Sequence, residues 1–404
     1  MIPRIHRNEH WQCELLPTFL KLYNLEQNKS AKYIHWCELL NDPDSHPAIL
    51  GDITRHIPSQ VLKDAADGLA RIVFATYQES TNPTDAYPIE HCHDFDLTLE
   101  KFCEDNEIPY NNVVWISGDM RVQQRQKSKK IRTYPYTCYG HEILFHVHQN
   151  KDAWDIKPIT ERNMLREFVC LQRFMKPGRI FWTYLLQHNN LLDSNFVSVA
   201  DRIHGWGFLE KAKTFLYLFK EHQGHISKKI YSEKQITDMW HTLADVGLKV
   251  PYVLDVQNAN NNWCAGSDTT LSSLPYYNSS FMSVITETDI QSQSLFISEA
   301  TFRPFVYQQP AVWVGQHGLV QQLRDWGFKT WDWLYSEDYD TEPFMIDRLE
   351  KCIESVKQAR SIEKTPELLE KIHKQNLYNW NHLQHQFMKD QGIRFAQILA
   401  SVIT

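Results

Sequence analysis

Between residues 280 and 327 two sequence periods alternate so closely that the segment reads as parallel α/β structure. SFMSVITET (280–288) is an apolar, β-branched run ending in polar residues, and AVWVG (311–315) is a shorter one closed by glycine. Between them Ser298 is a good N-cap, with Glu299 in the first turn, where a negative charge favours the helix dipole. Pro304 predicts a kink in that helix or a late start. GLVQQLRDWGF then reads as a helix closed by Gly327. Strand, helix, strand, helix in so short a span implies parallel strands with ligand-facing loops at their carboxyl ends.

The first half repeats the rhythm. GLARIVFATYQES (68–80) and NNVVWISGD (111–119) read as buried strands around LTLEKFCEDNEI, which has helical spacing. Their carboxyl ends are Glu79-Ser80 and Ser117-Gly118-Asp119. HEILFHVHQN (141–150) predicts a third strand, and residues 150 to 163, with Pro158 and mixed charges, predict a linker. Beyond it REFVCLQR and NFVSVAD read as strands, with RIFWTYLLQHNNLL and residues 233 to 247 as helices. After Trp333 the chain turns acidic and then almost wholly helical. The expected fold is α/β: two Rossmann-like domains facing a cleft, residues 1–160 and 161–340, with helices over 341–404 bracing them.

A chain of 404 residues can bury two cores, and 42% hydrophobic with 23% charged residues argues against disorder. A net charge of −7 excludes a global polycation. No apolar run approaches the roughly 18 residues that span a bilayer, and nothing resembles a signal peptide. The eight cysteines form no CxxC pair, so reduced thiols and a cytoplasmic location are expected. No GxGxxG follows any strand, which argues against a nucleotide-dependent oxidoreductase.

Several clusters carry chemistry, each beside a plainer reading. Glu287 at a strand end and Glu299 in the next helix can converge on one crevice, and Arg303 lies one helical turn beyond Glu299. A helix mouth with an arginine suits a phosphate, and a carboxylate suits sugar hydroxyls; the plainer reading is a capped helix. CLQRFMKPGRIF (170–181) places Arg173 and Arg179 where a strand meets a helix, suited to a diphosphate or simply solvated. Glu79 stands where a general base faces a ligand, or is an exposed loop acid. His91, Cys92, His93, Asp94 and Asp96 are too close in sequence to converge on one tetrahedral ion, so no metal is expected. RVQQRQKSKKIR (121–132) holds Arg121, Arg125, Lys127, Lys129, Lys130 and Arg132, a solvated loop or a contact for a polyanion such as DNA.

Taken together these residues resemble the GT-B glycosyltransferases, most closely the α1,3-fucosyltransferase-like group with its phage and bacterial relatives. Ile285-Thr286-Glu287 is similar to that group's Phe-Glu-Asn strand end, and Ile297-Ser298-Glu299-Ala300 to its Tyr-Val-Thr-Glu-Lys helix start. Pro310 to Gly315 and Trp326 to Trp331 resemble the following strand and helix end of the phage relatives. CLQRFMKPGRIFWTYLLQHNNLLDSNFVS is similar to their Arg-led helix. The resemblance covers roughly residues 165 to 390 and departs at Ala300, where the family has a lysine.

What the resemblance implies is a nucleotide-sugar donor on the second domain. Arg173, Arg179, Arg303 and the Ser298 helix mouth would hold the diphosphate. Thr286, Glu287 and Glu299 would meet sugar or ribose hydroxyls. Glu79, with Asp119 in reserve, would deprotonate the acceptor in an inverting displacement needing no metal or other cofactor. The acceptor would be a hydroxymethylated base in phage DNA inside the host cell, or a glycan or surface polysaccharide. A non-catalytic relative binding an acidic partner is the reading from another class.

Overall fold

The structure, a computed structural model, describes residues 33–38, 57–76, 95–137, 139–149, 151–152, 154–172, 175–199, 207–248, 273–287, 289–290 and 293–403. Glu79, Arg173 and the group His91 to Asp94 lie outside the described residues.

Among the described residues eight strands form two four-stranded sheets, each parallel throughout. In the first, β1 (Tyr33–Glu38), β2 (Ala70–Thr76), β3 (Val113–Ser117) and β4 (Arg132–Pro135) pair in sequence order. Alternate residues of β2 and β3 point to opposite faces. Ile72, Phe74 and Trp115 pack with Val61 of α1 (Ser59–Ala66) and with Leu99 and Phe102 of α2 (Phe95–Asp105). Val73, Ala75, Val114 and Ile116 pack on the other face against Phe395, Ile398, Leu399 and Val402. Those four belong to the last helix, here α11 (Met388–Ile403).

In the second sheet β5 (Arg166–Gln172), β6 (Phe196–Val199), β7 (Ser280–Thr286) and β8 (Ala311–Val314) stand in the order β6-β5-β7-β8. The chain leaves β5 outward to β6 and returns through α5 (Phe208–Ile226) and α6 (Glu233–Gly247) to the other side of β5. That reversal makes a switch point between β5 and β7, where successive loops diverge and leave a crevice. The helix after β5, α4 (Pro177–His188), packs against α5, α6 and α9 (Met345–Ser361). The helix after β7, α7 (Glu299–Val306), packs against α3 (Tyr139–Gln149) and α10 (Pro366–Asn381). Trp182, Trp313 and Trp331 are fully buried in the core around this sheet.

Three expectations change. HEILFHVHQN is part of helix α3, because Ile143, Leu144 and Val147 share a buried face at helical spacing. The basic stretch ends in a strand, β4, that the sequence reading takes as loop. The expected linker is packed: Ile159 is buried, Trp154 lies 5.2 Å from Tyr307, and Arg162 donates to the Tyr307 carbonyl at 2.7 Å. Helix α7 runs through Pro304 to Val306. Among the described residues no helix is long and apolar enough to cross a membrane.

Because α11 is the cover of one face of the first sheet, Phe395→Ala should cost about 3–5 kcal/mol in urea unfolding. Hydrogen exchange should then speed up in β2 and β3 more than in β5 and β7, a difference that global destabilisation would not produce.

Candidate functional site

The carboxyl end of β3 meets the carboxyl ends of β7 and β8. Asp119 forms an isolated antiparallel bridge with Phe296, and Met120 N–H donates to the Leu295 carbonyl at 2.9 Å. The Asp119 carboxylate, 2% exposed, accepts from Arg121 N–H at 2.9 Å, Leu295 N–H at 2.8 Å and the Arg125 guanidinium at 2.6 Å. Thr137 donates to the Ile297 carbonyl at 3.1 Å, just before the start of α7. Arg121 reaches farthest: Nη2 donates to the His317 carbonyl at 2.5 Å and Nη1 lies 3.1 Å from the His317 ring.

On the second sheet, Arg179 in the first turn of α4 is buried and donates to the Thr286 carbonyl at 2.7 Å, bridging the switch point. Burial pulls its pKa down to about 10, with the charges of Glu287 and Glu299 acting the other way, so it stays cationic at neutral pH. Glu287 is fully buried. Its carboxylate accepts from Ser298 N–H at 3.4 Å and from the Thr301 hydroxyl. Ser298 caps α7 by accepting from Ala300 N–H at 3.2 Å. The helix mouth expected to receive a phosphate is therefore already served by the chain's own oxygens. Glu299 pairs with Arg303 at 3.3 Å on the partly exposed side of α7.

The basic stretch is less free than its composition suggests. Lys130 pairs with Glu100 at 2.7 Å, and Arg132 donates to the Asn111 carbonyl at 2.7 Å. The backbone N–H groups of Lys127 and Ser128 point at Asp96 at 2.5 and 2.6 Å. Arg121 and Arg125 are joined to His317 and Asp119, and Lys129 Nζ donates to the Gln126 carbonyl at 3.4 Å, so at least five of the six cationic side chains are engaged within the protein. Lys127 and Lys129 are exposed.

Sequence reasoning misses the loop Gly315-Gln316-His317-Gly318 and the residues that hold it. Arg348, 2% exposed in α9, donates to the carbonyls of Gly315 at 2.8 Å, Ile290 at 2.6 Å, and Glu342 and Pro343 at 2.7 and 3.1 Å. It ties together the loops after β7 and β8. Burial lowers its pKa to about 10. Asp340 accepts from Val320 and Gln321 N–H at 2.8 and 2.9 Å, and so fills the start of α8 (Leu319–Asp325). The available signal is a pair of glycines closing tightly behind a buried strand.

The edge thus combines buried guanidinium groups with polar strand ends at a switch point, an arrangement able to bind a polar, partly anionic ligand. Among the described residues no group of three or more His, Cys, Asp or Glu is placed to hold a metal ion. No protein-family model, curated protein or solved structure matches the chain.

Two outcomes test the junction. Gly318 has φ +77°, and a Cβ there would stand 2.2 Å from Arg121 Nη2, whereas Gly68 has φ +73° and open space around it. Gly68→Ala should cost about 1–2 kcal/mol for the left-handed backbone alone. Gly318→Ala should cost more, and Gly318→Ala with Arg121→Ala should cost less than the two single losses added, measured by urea unfolding. His317 is the pH reporter. Burial, then the Arg121 and Arg348 charges, hold its pKa near 4, below the unfolded value of about 6.5. Its contribution is complete above pH 6.5 and is lost as the pH falls toward 4. Half-buried His141, its pKa also lowered to about 4 by desolvation, titrates in the same window. The melting temperature of His317→Gln should therefore decline less steeply than the parent's between pH 6.5 and 4.

Proposed function

We propose that the chain is a glycosyltransferase that moves a sugar from a nucleotide-sugar donor to an acceptor hydroxyl. The observation that carries this reading is the meeting of two parallel sheets at their carboxyl ends, with a switch point in the second and buried Arg179 across it. In this reading the donor lies on the second sheet, where Arg173 and Arg179 supply positive charge to the departing nucleoside diphosphate. Arg303 adds to that charge from α7. Glu287 serves by fixing Ser298 and Thr301, while the more exposed Glu299 meets hydroxyls directly. Thr286 presents its hydroxyl at the end of β7.

Deprotonation of the acceptor falls to Glu79. Both oxygens of Asp119 already accept hydrogen bonds, which suits that residue to joining the sheets. One proton passes to the Glu79 carboxylate as the acceptor oxygen attacks the anomeric carbon and the diphosphate leaves with the bonding pair. A saccharide acceptor is favoured over DNA, because a polyanion would have to compete for cationic side chains already engaged within the protein.

Release of nucleoside diphosphate from uridine- and guanosine-linked sugars, with and without saccharide or hydroxymethylated-DNA acceptors, tests the proposal. Glu79→Gln should lower the rate by about 10²–10⁴ while leaving nucleotide affinity nearly unchanged. Binding without turnover in the parent would move the chain to the non-catalytic class. Acceptor affinity falling steeply with salt would restore DNA.

A further inference from the structure

Three neighbouring strands of the second sheet each end in a buried polar atom that has no hydrogen-bond partner. These are Gln172 Oε1 at the end of β5, Thr286 Oγ1 at the end of β7, and both amide atoms of Gln316 just beyond β8. Folded proteins leave few such groups, so their gathering on one carboxyl edge calls for an explanation. Gln316 is the clearest of them. It is 1% exposed, and because its oxygen and nitrogen are both unpartnered, exchanging the two would satisfy neither.

The loop around it is otherwise held. The Gly315 carbonyl accepts from Arg348, the His317 carbonyl accepts from Arg121, and Gly318 N–H donates to the Asp340 carbonyl at 2.7 Å. The loop backbone is therefore fixed while this one side chain keeps its donor and acceptor unused. A fixed amide of that kind complements a neutral group with a donor and an acceptor side by side.

We propose that Gln316 recognises such a group, either a nucleobase edge or a pair of sugar hydroxyls, on the ligand bound at the carboxyl edge of the second sheet. The inference rests on the nucleotide-sugar reading above and adds to it a residue that selects the ligand. Since neither amide atom touches solvent, the ligand meets Gln316 once a neighbouring segment has moved.

Calorimetric titration of the full chain with uridine, guanosine and adenosine diphosphates, and with the uridine- and guanosine-linked hexoses, tests this. Gln316→Leu removes both unpartnered atoms at nearly constant volume. It should melt no lower than the parent without ligand, yet bind the best of these probes at least about tenfold more weakly. A loss equal for a diphosphate and its hexose conjugate assigns the amide to the base, and a loss confined to the conjugate assigns it to the sugar. Gln316→Met keeps the length and removes the amide without adding charge, and it should weaken binding to a similar degree, which covers a leucine variant that fails to fold. Unchanged affinity in either folded variant overturns the inference and leaves the nucleotide-sugar reading standing. A parent that binds none of the five probes overturns that reading, and this inference with it.

Discussion

Asp119 joins the carboxyl ends of the two sheets because its carboxylate is buried where N–H groups from both sides converge. One donor comes from its own turn and another from Leu295 beside the second sheet, with Arg125 completing the set. A buried carboxylate lacking such donors would be costly, so the acid and the two backbone segments specify one another. The Met120–Leu295 bond and the reach of Arg121 to His317 follow from that alignment. So does the arrangement in which the carboxyl ends of β3, β7 and β8 share one region, the precondition for any chemistry between a group on one sheet and a group on the other.

The second constraint is electrostatic. Arg348 lies within the protein and donates to carbonyl oxygens of Gly315, Ile290, Glu342 and Pro343, and buried Arg179 donates to the Thr286 carbonyl. Carbonyls carry no net charge, so the positive potential that both guanidinium groups bring to the carboxyl edge is moderated only by carboxylates such as Glu287 and Glu299 for Arg179 and Asp340, Glu342 and Asp289 for Arg348. Arg348 gains a further role from its geometry. Its planar fork reaches carbonyls in three segments at once, which a lysine could not match. The loops after β7 and β8 thus have their relative positions set by a side chain from α9.

Much of this architecture is legible in the sequence because it is written locally. The runs at 280–286 and 311–314 are short, apolar and bounded by polar or glycine residues. The cap at Ser298 and the helix at 233–247 carry their own start signals. The failures share a cause, which is distance. HEILFHVHQN has enough β-branched and aromatic character to suggest a strand, and only its packing against α7 decides for a helix. The cations of 121–132 look free because Glu100, Asp119 and the Asn111 carbonyl come to meet them only in the folded chain. Glu287 is at the strand end as expected, but burial turns it inward to the start of α7. Gln316 carries no signal of its own, since an unpartnered amide is recognised only once every neighbour is in place.

The return of α11 to the first sheet has a consequence in time. Roughly 280 residues separate the end of β3 from Phe395, and a ribosome adding about 5–20 residues per second takes on the order of 15–55 s to make them. Through that interval Val73, Val114 and Ile116 lack the α11 side chains they pack against, however early their strands pair. The first sheet thus emerges before the second, yet one of its faces is finished only when α11 is made. Until then that apolar face is exposed to whatever else is near the emerging chain.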